Sequence, residues 1–261
     1  MGESRYNINA LARGLKILEL FSLETPSLTL TEIIQTLKLS KSTAFRVVST
    51  LEAHGYIERD PSSYRCYRPS VKVLQLGFTA INSLGLCQTA RPYLERLALE
   101  VCETVSLCVL DDMHTIYVDR VRNHAIVGVI LNVGSRLSAH CTALGKVLLA
   151  DLPPEELSSR LARTKLEPYT SRTIVNRESL LGELASIRQR GYAVDDEELA
   201  VGLRAVAAPI RDASKKAIAA INISGAIMTI NLERIDHELR SAVMKTAEQI
   251  SSLLGYSPGR D

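Results

Sequence analysis

The sequence predicts an α+β chain in two parts: a small helix-turn-helix module carrying a basic hairpin, and a larger domain built on a largely antiparallel sheet. Three observations predict it. Apolar residues recur at three- and four-residue steps up to residue 54, strand-like segments come in adjacent pairs beyond residue 104, and capping or turn signals separate the elements.

In order, Ile8, Leu11, Leu15, Leu18 and Phe21 mark an amphipathic first helix with one stripe expected to be buried. Thr29 and Glu32 form a T-x-x-E capping box for a short second helix that stops before Leu39. Ser40 caps a third helix reaching His54, where Gly55 supplies a left-handed residue. "YIERD", the turn Pro61-Ser62-Ser63 and "YRCYR" then read as a hairpin. Pro69 suits the first turn of a connecting helix, "PSVKVLQLGFTAINSL". The expected division is therefore residues 1–68, a linker helix over 69–85, and a second domain over 86–261. There the helix "TARPYLERLALEV" precedes strands "TVSLCVL", "TIYVDRV" and "AIVGVILNV". Helices "TALGKVLLADL" and "RESLLGELASIRQR" follow, then strands "RAVAAPIRD" and "KAIAAINIS", then a long helix from about Leu232 to Leu254.

With 261 residues, 46% of them hydrophobic, the chain can fill two cores, which excludes general disorder. No apolar run reaches the roughly 18 residues of a membrane span, and the N-terminus lacks the apolar core of a secretion signal. A cytoplasmic protein with no membrane partner is expected. The cysteines at 66, 87, 102, 108 and 141 are scattered without a C-x-x-C pair, so neither a metal centre nor a disulfide framework is expected, and no cofactor. The whole net charge of +2 has accumulated by residue 70, where nine Lys or Arg face seven acids. Five of those nine bases lie between Lys41 and Arg68, a local concentration that a polyanion can meet.

On the third helix Ala44, Val47, Val48 and Leu51 fall at i, i+3, i+4 and i+7 and form an inward face, leaving Lys41, Ser42, Thr43, Phe45, Arg46 and Ser49 outside. Short hydroxyls reach phosphates and base edges, the cations add charge-assisted contacts, and an aromatic ring meets a thymine methyl, so this face fits a major groove. The hairpin adds Arg59, Arg65 and Arg68, with Tyr64 and Tyr67 between them, suited to the DNA backbone or a minor groove. The same pattern also describes an ordinary helical module with a solvated polar face.

In the second domain the chemically loaded segments are His140-Cys141-Thr142 and Asp195-Asp196-Glu197-Glu198. Read as a catalyst, Cys141 is a nucleophile beside His140 with an acid to orient the base, making the chain a small-molecule enzyme with a helical oligomerisation module. Read as a metal site, His140, Cys141 and the acids supply ligands. Against both, sequence neighbours on an extended chain point apart. Read as a sensor, Cys141 and Thr142 open a helix whose unpaired N–H groups hold a carboxylate, while Val129, Leu131 and Leu203 wall an apolar pocket; an organic acid satisfies both. Asp195 fits a hydroxyl acceptor or a lid, and equally a helix cap or a surface acid.

"LARGLKILELF", "LTLTEIIQTLKLSKSTAFRVVSTLEAHGYIERD", "RPYLERLA", "SAHCTALGKVLLADLPPEEL", "RGYAVDDEELAVGLRAVAAPI" and "INISGAI" run in this order along nearly the whole chain. Together they resemble successive blocks of the IclR family of bacterial transcriptional regulators. The resemblance implies a winged helix-turn-helix joined by a helix to an effector-binding domain related to the GAF fold. It also implies homodimers pairing into tetramers on a palindromic double-stranded DNA operator. In the wing the chain departs from the family, with no glycine at Ser62-Ser63 and with Tyr67 where a glycine is common. Effector contacts are implied at Ala143, Leu144, Asp195, Leu203, Ala205, Asn222 and Ser224. Family members that use small keto acids often carry a cysteine and two serines here, of which only Ser224 remains, Ala205 and Asn222 replacing the others. The block around "SAHCTALGKVLLADLPPEEL" is similar to the branch regulating aromatic-acid catabolism through the β-ketoadipate pathway, which implies an aromatic or dicarboxylic acid as effector.

Overall fold

The computed structural model describes residues 8–22, 25–83, 85–122 and 131–257, in two compact units, 1–83 and 84–261.

In the first unit, α1 (Asn9–Leu18), α2 (Leu30–Leu37) and α3 (Lys41–Ala53) surround a small core of Ile17, Leu28, Ile33, Val48, Ile57 and Tyr67. The capping box at α2 is reciprocal: Glu32 N–H donates to Thr29 Oγ1 at 3.2 Å, and Thr29 N–H donates to Glu32 Oε2 at 2.7 Å. Gly55, with φ of +73°, turns the chain after α3 into β2 (Ile57–Asp60). β3 (Ser63–Pro69) returns antiparallel to it and pairs on its other edge with β1 (Leu28–Thr29), a strand the sequence did not announce. The tip is tied by Asp60 Oδ1, which accepts from Ser62 N–H at 2.9 Å.

Three expectations need correction. Pro69 ends β3, and α4 starts at Val71 and runs to Ser83. Tyr67 belongs to the core, 2% exposed, because it faces inward between β1 and β2. On α1 the buried residues are Gly14 and Ile17, whereas Ile8, Leu11 and Leu15 of the expected buried stripe stand in solvent.

The second unit is a six-stranded, wholly antiparallel sheet in the order β6-β5-β4-β9-β8-β7. Its strands are β4 (Thr104–Asp111), β5 (His114–Val121), β6 (Arg136–Ser138), β7 (Ala193–Asp196), β8 (Leu203–Arg211) and β9 (Ala217–Ala226). Alternation sorts the side chains: Val105, Leu107, Val206, Ala208, Ile221 and Ile223 pack beneath α5 (Leu86–Val101) and the C-terminal helical run. That run joins α9 (Leu232–Arg234), a π-helical turn over Ile235–Leu239, and α10 (Arg240–Leu253). The opposite face, with Cys108, Tyr117, Ala193, Ala205, Ala207 and Ala220, carries α6 (Ala143–Asp151) and α8 (Arg177–Arg190). The alanines on this face let α6 approach closely.

The expected strand "AIVGVILNV" falls mostly outside the described residues, and Leu131, Asn132 and Val133 at its end are not in a strand. β6 was not foreseen. Pro154 does more than end α6; it opens a further helix, α7 (Pro154–Ala162), at the first-turn position where proline is tolerated.

Candidate functional site

The N-terminus of α3 is fixed by Ser40, whose Oγ accepts from Thr43 N–H at 3.2 Å. Ala44 and Val48 are fully buried and Val47 and Leu51 half-buried, so the helix is held by the predicted face. Lys41, Ser42, Phe45 and Arg46 are exposed, with Thr43 and Ser49 at the margins. Phe45 keeps 54% of its surface in solvent, an apolar group presented among polar ones. Among the described residues Lys41, Arg46 and Arg65 form no ion pair. Arg59 and Arg68 do. Arg59 Nε lies 3.2 Å from Glu52, its Nη1 donates to the Tyr64 carbonyl at 3.0 Å, and its guanidinium stacks on Tyr67. Arg68 holds Glu58 through Nε at 2.9 Å and Nη2 at 2.7 Å. The hairpin's cations are thus split, with Arg65 unpaired and the other two bracing the hairpin against α3 and within its own sheet.

In the second unit a cavity of about 250 Å3 opens beside the start of α6. Its lining includes Leu131, Thr142, Ala143, Asp195, Leu203, Ala205, Asn222 and Ser224, all named from the sequence, and adds Glu103, Tyr117 and Arg120, which were not. Thr142 caps α6 by accepting from Gly145 N–H at 3.0 Å. Gly145 is where the helix presses on the turn before it: a Cβ there would collide with the Ala139 carbonyl group.

Two expected lining residues are elsewhere. The chain before α6 makes a 3-10 turn over Ala139–Cys141, which points Cys141 into the core, where its Sγ donates to the Ser138 carbonyl at 3.4 Å. Leu144 packs with Cys108, Tyr117 and Ala207 in the same core. Val129 lies outside the described residues.

Asp195 is 2% exposed, and its Oδ1 accepts from Glu198 N–H at 2.8 Å, so it caps the turn after β7 while lining the cavity. Burial raises its pKa to about 7, with the nearby Glu198 charge adding to the rise, while the N–H bond from Glu198 and the Lys146 charge oppose it. Each other acid of the run is engaged: Asp196 with Arg204 at 2.5 Å and with Arg172, Glu197 with Gly202 N–H at 2.9 Å, and Glu198 with the buried Lys146. Among the described residues no three His, Cys, Asp or Glu side chains are grouped to hold a metal ion.

The nucleophile reading fails on geometry. His140 Nε2 lies 3.0 Å from the Glu167 carbonyl, its pKa lowered by burial, while Cys141 is turned to Ser138. Burial, with the Asp195 charge second, pushes the thiol up to about 12, far from the thiolate a nucleophile needs.

The model of the IclR helix-turn-helix domain matches residues 10–61, and that of the bacterial transcriptional regulator IclR C-terminal domain matches 78–252. The chain belongs to the IclR family. It is 33% identical over 252 residues to the HTH-type transcriptional regulator XynR of Escherichia coli (strain K12), covering 95% of this chain and 98% of the relative. To the Pca regulon regulatory protein of Pseudomonas putida it is 35% identical, covering 83% of this chain and 74% of the relative. A solved IclR homolog from Microbacterium hydrocarbonoxydans, complexed with 4-hydroxybenzoate, superposes with a TM-score of 0.79 at 27% identity over 94% of this chain and all of that one. As an IclR regulator the chain acts on transcription through a DNA-binding helix-turn-helix domain and is not an enzyme. Among the described residues no helix is long and apolar enough to cross a membrane.

Proposed function

We propose that this IclR regulator binds a palindromic DNA operator in the cytoplasm as a homodimer, and as a pair of dimers at full occupancy, under control of a small aromatic or dicarboxylic acid. Residues 1–68 read the DNA, 69–85 link, and 86–261 bind the acid. Lys41, Ser42, Thr43, Phe45, Arg46 and Ser49 enter the major groove, Arg65 meets backbone phosphate, and Arg59 and Arg68 shape the wing that presents it. The observation that carries the DNA side is the exposed N-terminal half of α3, with two unpaired cations and an aromatic ring among hydroxyls. Self-association is supported by Ile8 just before α1, Leu11 and Leu15 on α1, and Val71, Leu74 and Leu76 on α4, apolar residues left exposed. The acid side is supported by the mostly apolar cavity with Arg120 in its wall, and by the 4-hydroxybenzoate bound to the solved homolog.

The test is a gel shift on DNA upstream of the protein's own locus. Arg46→Ala should weaken binding about 10-fold or more, the scale of one lost charge-assisted contact, and an aromatic acid should change the wild-type shift. Equal affinity for both proteins with no salt dependence would defeat the proposed recognition face.

A further inference from the structure

On the sheet face that carries the cavity, Arg120 Nε, Ser106 Oγ and Asn222 Oδ1 are each buried with no hydrogen-bond partner among the described residues, and Arg120 and Asn222 line the cavity itself. They are not scattered. In the sheet register Ser106 of β4 pairs with Arg120 of β5 on one side and with Asn222 of β9 on the other, so the three form one row on the cavity face. Two strand spacings of ~4.8 Å place the outer Cα atoms about 10 Å apart, with both side chains free to lean over Ser106.

The ends of this row differ in kind. At one end the Arg120 guanidinium has a backbone partner only, donating from Nη1 to the Leu131 carbonyl at 3.0 Å, and among the described residues no carboxylate pairs with it. The neighbouring Arg122 donates to the same carbonyl at 2.9 Å and adds positive potential. At the other end Asn222 offers an acceptor, and the wall also holds the acids Asp195 and Glu103. Glu103 is already paired with Arg234 at 3.0 Å. A half-buried cation with a buried, unpartnered Nε and no counter-ion among the described residues, and a buried acceptor without a donor, each carry a desolvation cost that a bound molecule removes.

Resting on the organic-acid reading above, we propose that Arg120 is the residue that pairs with the effector carboxylate, and that the row from Arg120 to Asn222 selects a monocarboxylate bearing a hydroxyl at its far end. A dicarboxylate is disfavoured, because its second charge would face the acceptor Asn222 Oδ1 and the Glu103 carboxylate. At about 250 Å3, just below the ~300 Å3 at which ordinary ligand pockets begin, the cavity takes a single ring with a group at each end.

The experiment is calorimetric titration of the full chain with 4-hydroxybenzoate, 3-hydroxybenzoate, benzoate, the neutral 4-hydroxybenzamide, terephthalate and adipate. Wild type should bind a hydroxybenzoate tightest and terephthalate at least 10-fold more weakly. Arg120→Gln should lose about 10- to 100-fold for the hydroxybenzoate, the scale of a charge-assisted bond, yet change 4-hydroxybenzamide by less than about 3-fold. Arg120→Lys, which keeps the charge, should recover part of the loss and so separates charge from folding. Asn222→Leu should bring hydroxybenzoate and benzoate to equal affinity. Acids that bind wild type and Arg120→Gln alike, or a dicarboxylate that binds tightest, overturn this inference while leaving the organic-acid reading intact. Failure of every acid to bind wild type defeats both.

Discussion

At the scale of single residues, the cavity wall makes one side chain pH-sensitive. Asp195 is buried, and its folded pKa of about 7 stands above the ordinary 3.8, so between those values the native state holds a proton that the unfolded chain has released. Its contribution to stability is therefore complete below about pH 4 and is lost as pH rises through 7. His140 and His114, whose pKa values are lowered by burial, act in the opposite sense below pH 6.5, so the wild-type curve alone mixes the two. Asp195→Asn keeps the Oδ1 that accepts from Glu198 N–H and removes only the titration. Denaturant melts at pH 5 and pH 8 should show the Asp195→Asn variant gaining on wild type as pH rises, by on the order of a few kcal/mol across that span. Parallel curves would mean that Asp195 is charged throughout. Gly145 gives a second, simpler test. Gly145→Ala drives a methyl into the Ala139 carbonyl group, a backbone unit that cannot swing aside, so α6 must shift. A loss of about 3 kcal/mol or more is expected in the same melts, against about 1 kcal/mol for a typical substitution.

Among elements, α3 and the hairpin differ because their cations are differently engaged. Among the described residues Lys41 and Arg46 of α3 form no ion pair, whereas Arg68 is held by two bonds to Glu58. On an operator held by the two proposed copies, Arg46→Ala should lower the slope of log affinity against log salt by about 2 units, one contact being lost from each copy, and Arg68→Ala by well under half of that, measured by fluorescence anisotropy on one operator. Equal losses would show that Arg68 leaves Glu58 to meet phosphate. That distinction was not legible in the sequence, where Arg59, Arg65 and Arg68 look alike; it depends on Glu52, which the packing of α3 on the hairpin brings to Arg59, and on Glu58, which the strand register sets opposite Arg68. The α3 face was legible because helical periodicity fixes which side is buried. Arg120 was not. Plain alternation puts residues 117 and 120 on opposite faces of β5, and both reach the cavity because the register shifts where Leu107 meets Asp119 and Cys108 meets Tyr117. Cys141 was misplaced for a related reason: one 3-10 turn, invisible to periodicity, decided which way its thiol points. The expected stripe on α1 failed because a helix pattern announces an apolar face without naming what covers it.

For the whole molecule, that uncovered stripe and the sparse charge of the reading face lead to one conclusion. A single copy offers Lys41, Arg46 and Arg65, which form no ion pair among the described residues, around α3 and the hairpin. With each phosphate contact contributing about 0.9 to the slope, one copy yields roughly −3 and two copies between about −5 and −6. On the proposed two-copy reading the measured slope should lie at the larger value, each copy adding its own contacts. Leu11 and Leu15 line one side of a groove completed by Val73 and Leu76 of α4 within the same unit, where a second copy would bury them. Thr43 and Arg46 of α3 line the same groove, so the variant is Leu74→Glu, which places a charge on the exposed apolar face of α4 at a residue outside the groove. Sedimentation should then show smaller particles than wild type, and the salt slope on the full operator should fall toward the one-copy value while the Arg46 contact survives. An unchanged sedimentation coefficient with an unchanged slope would move the contact between copies off this face.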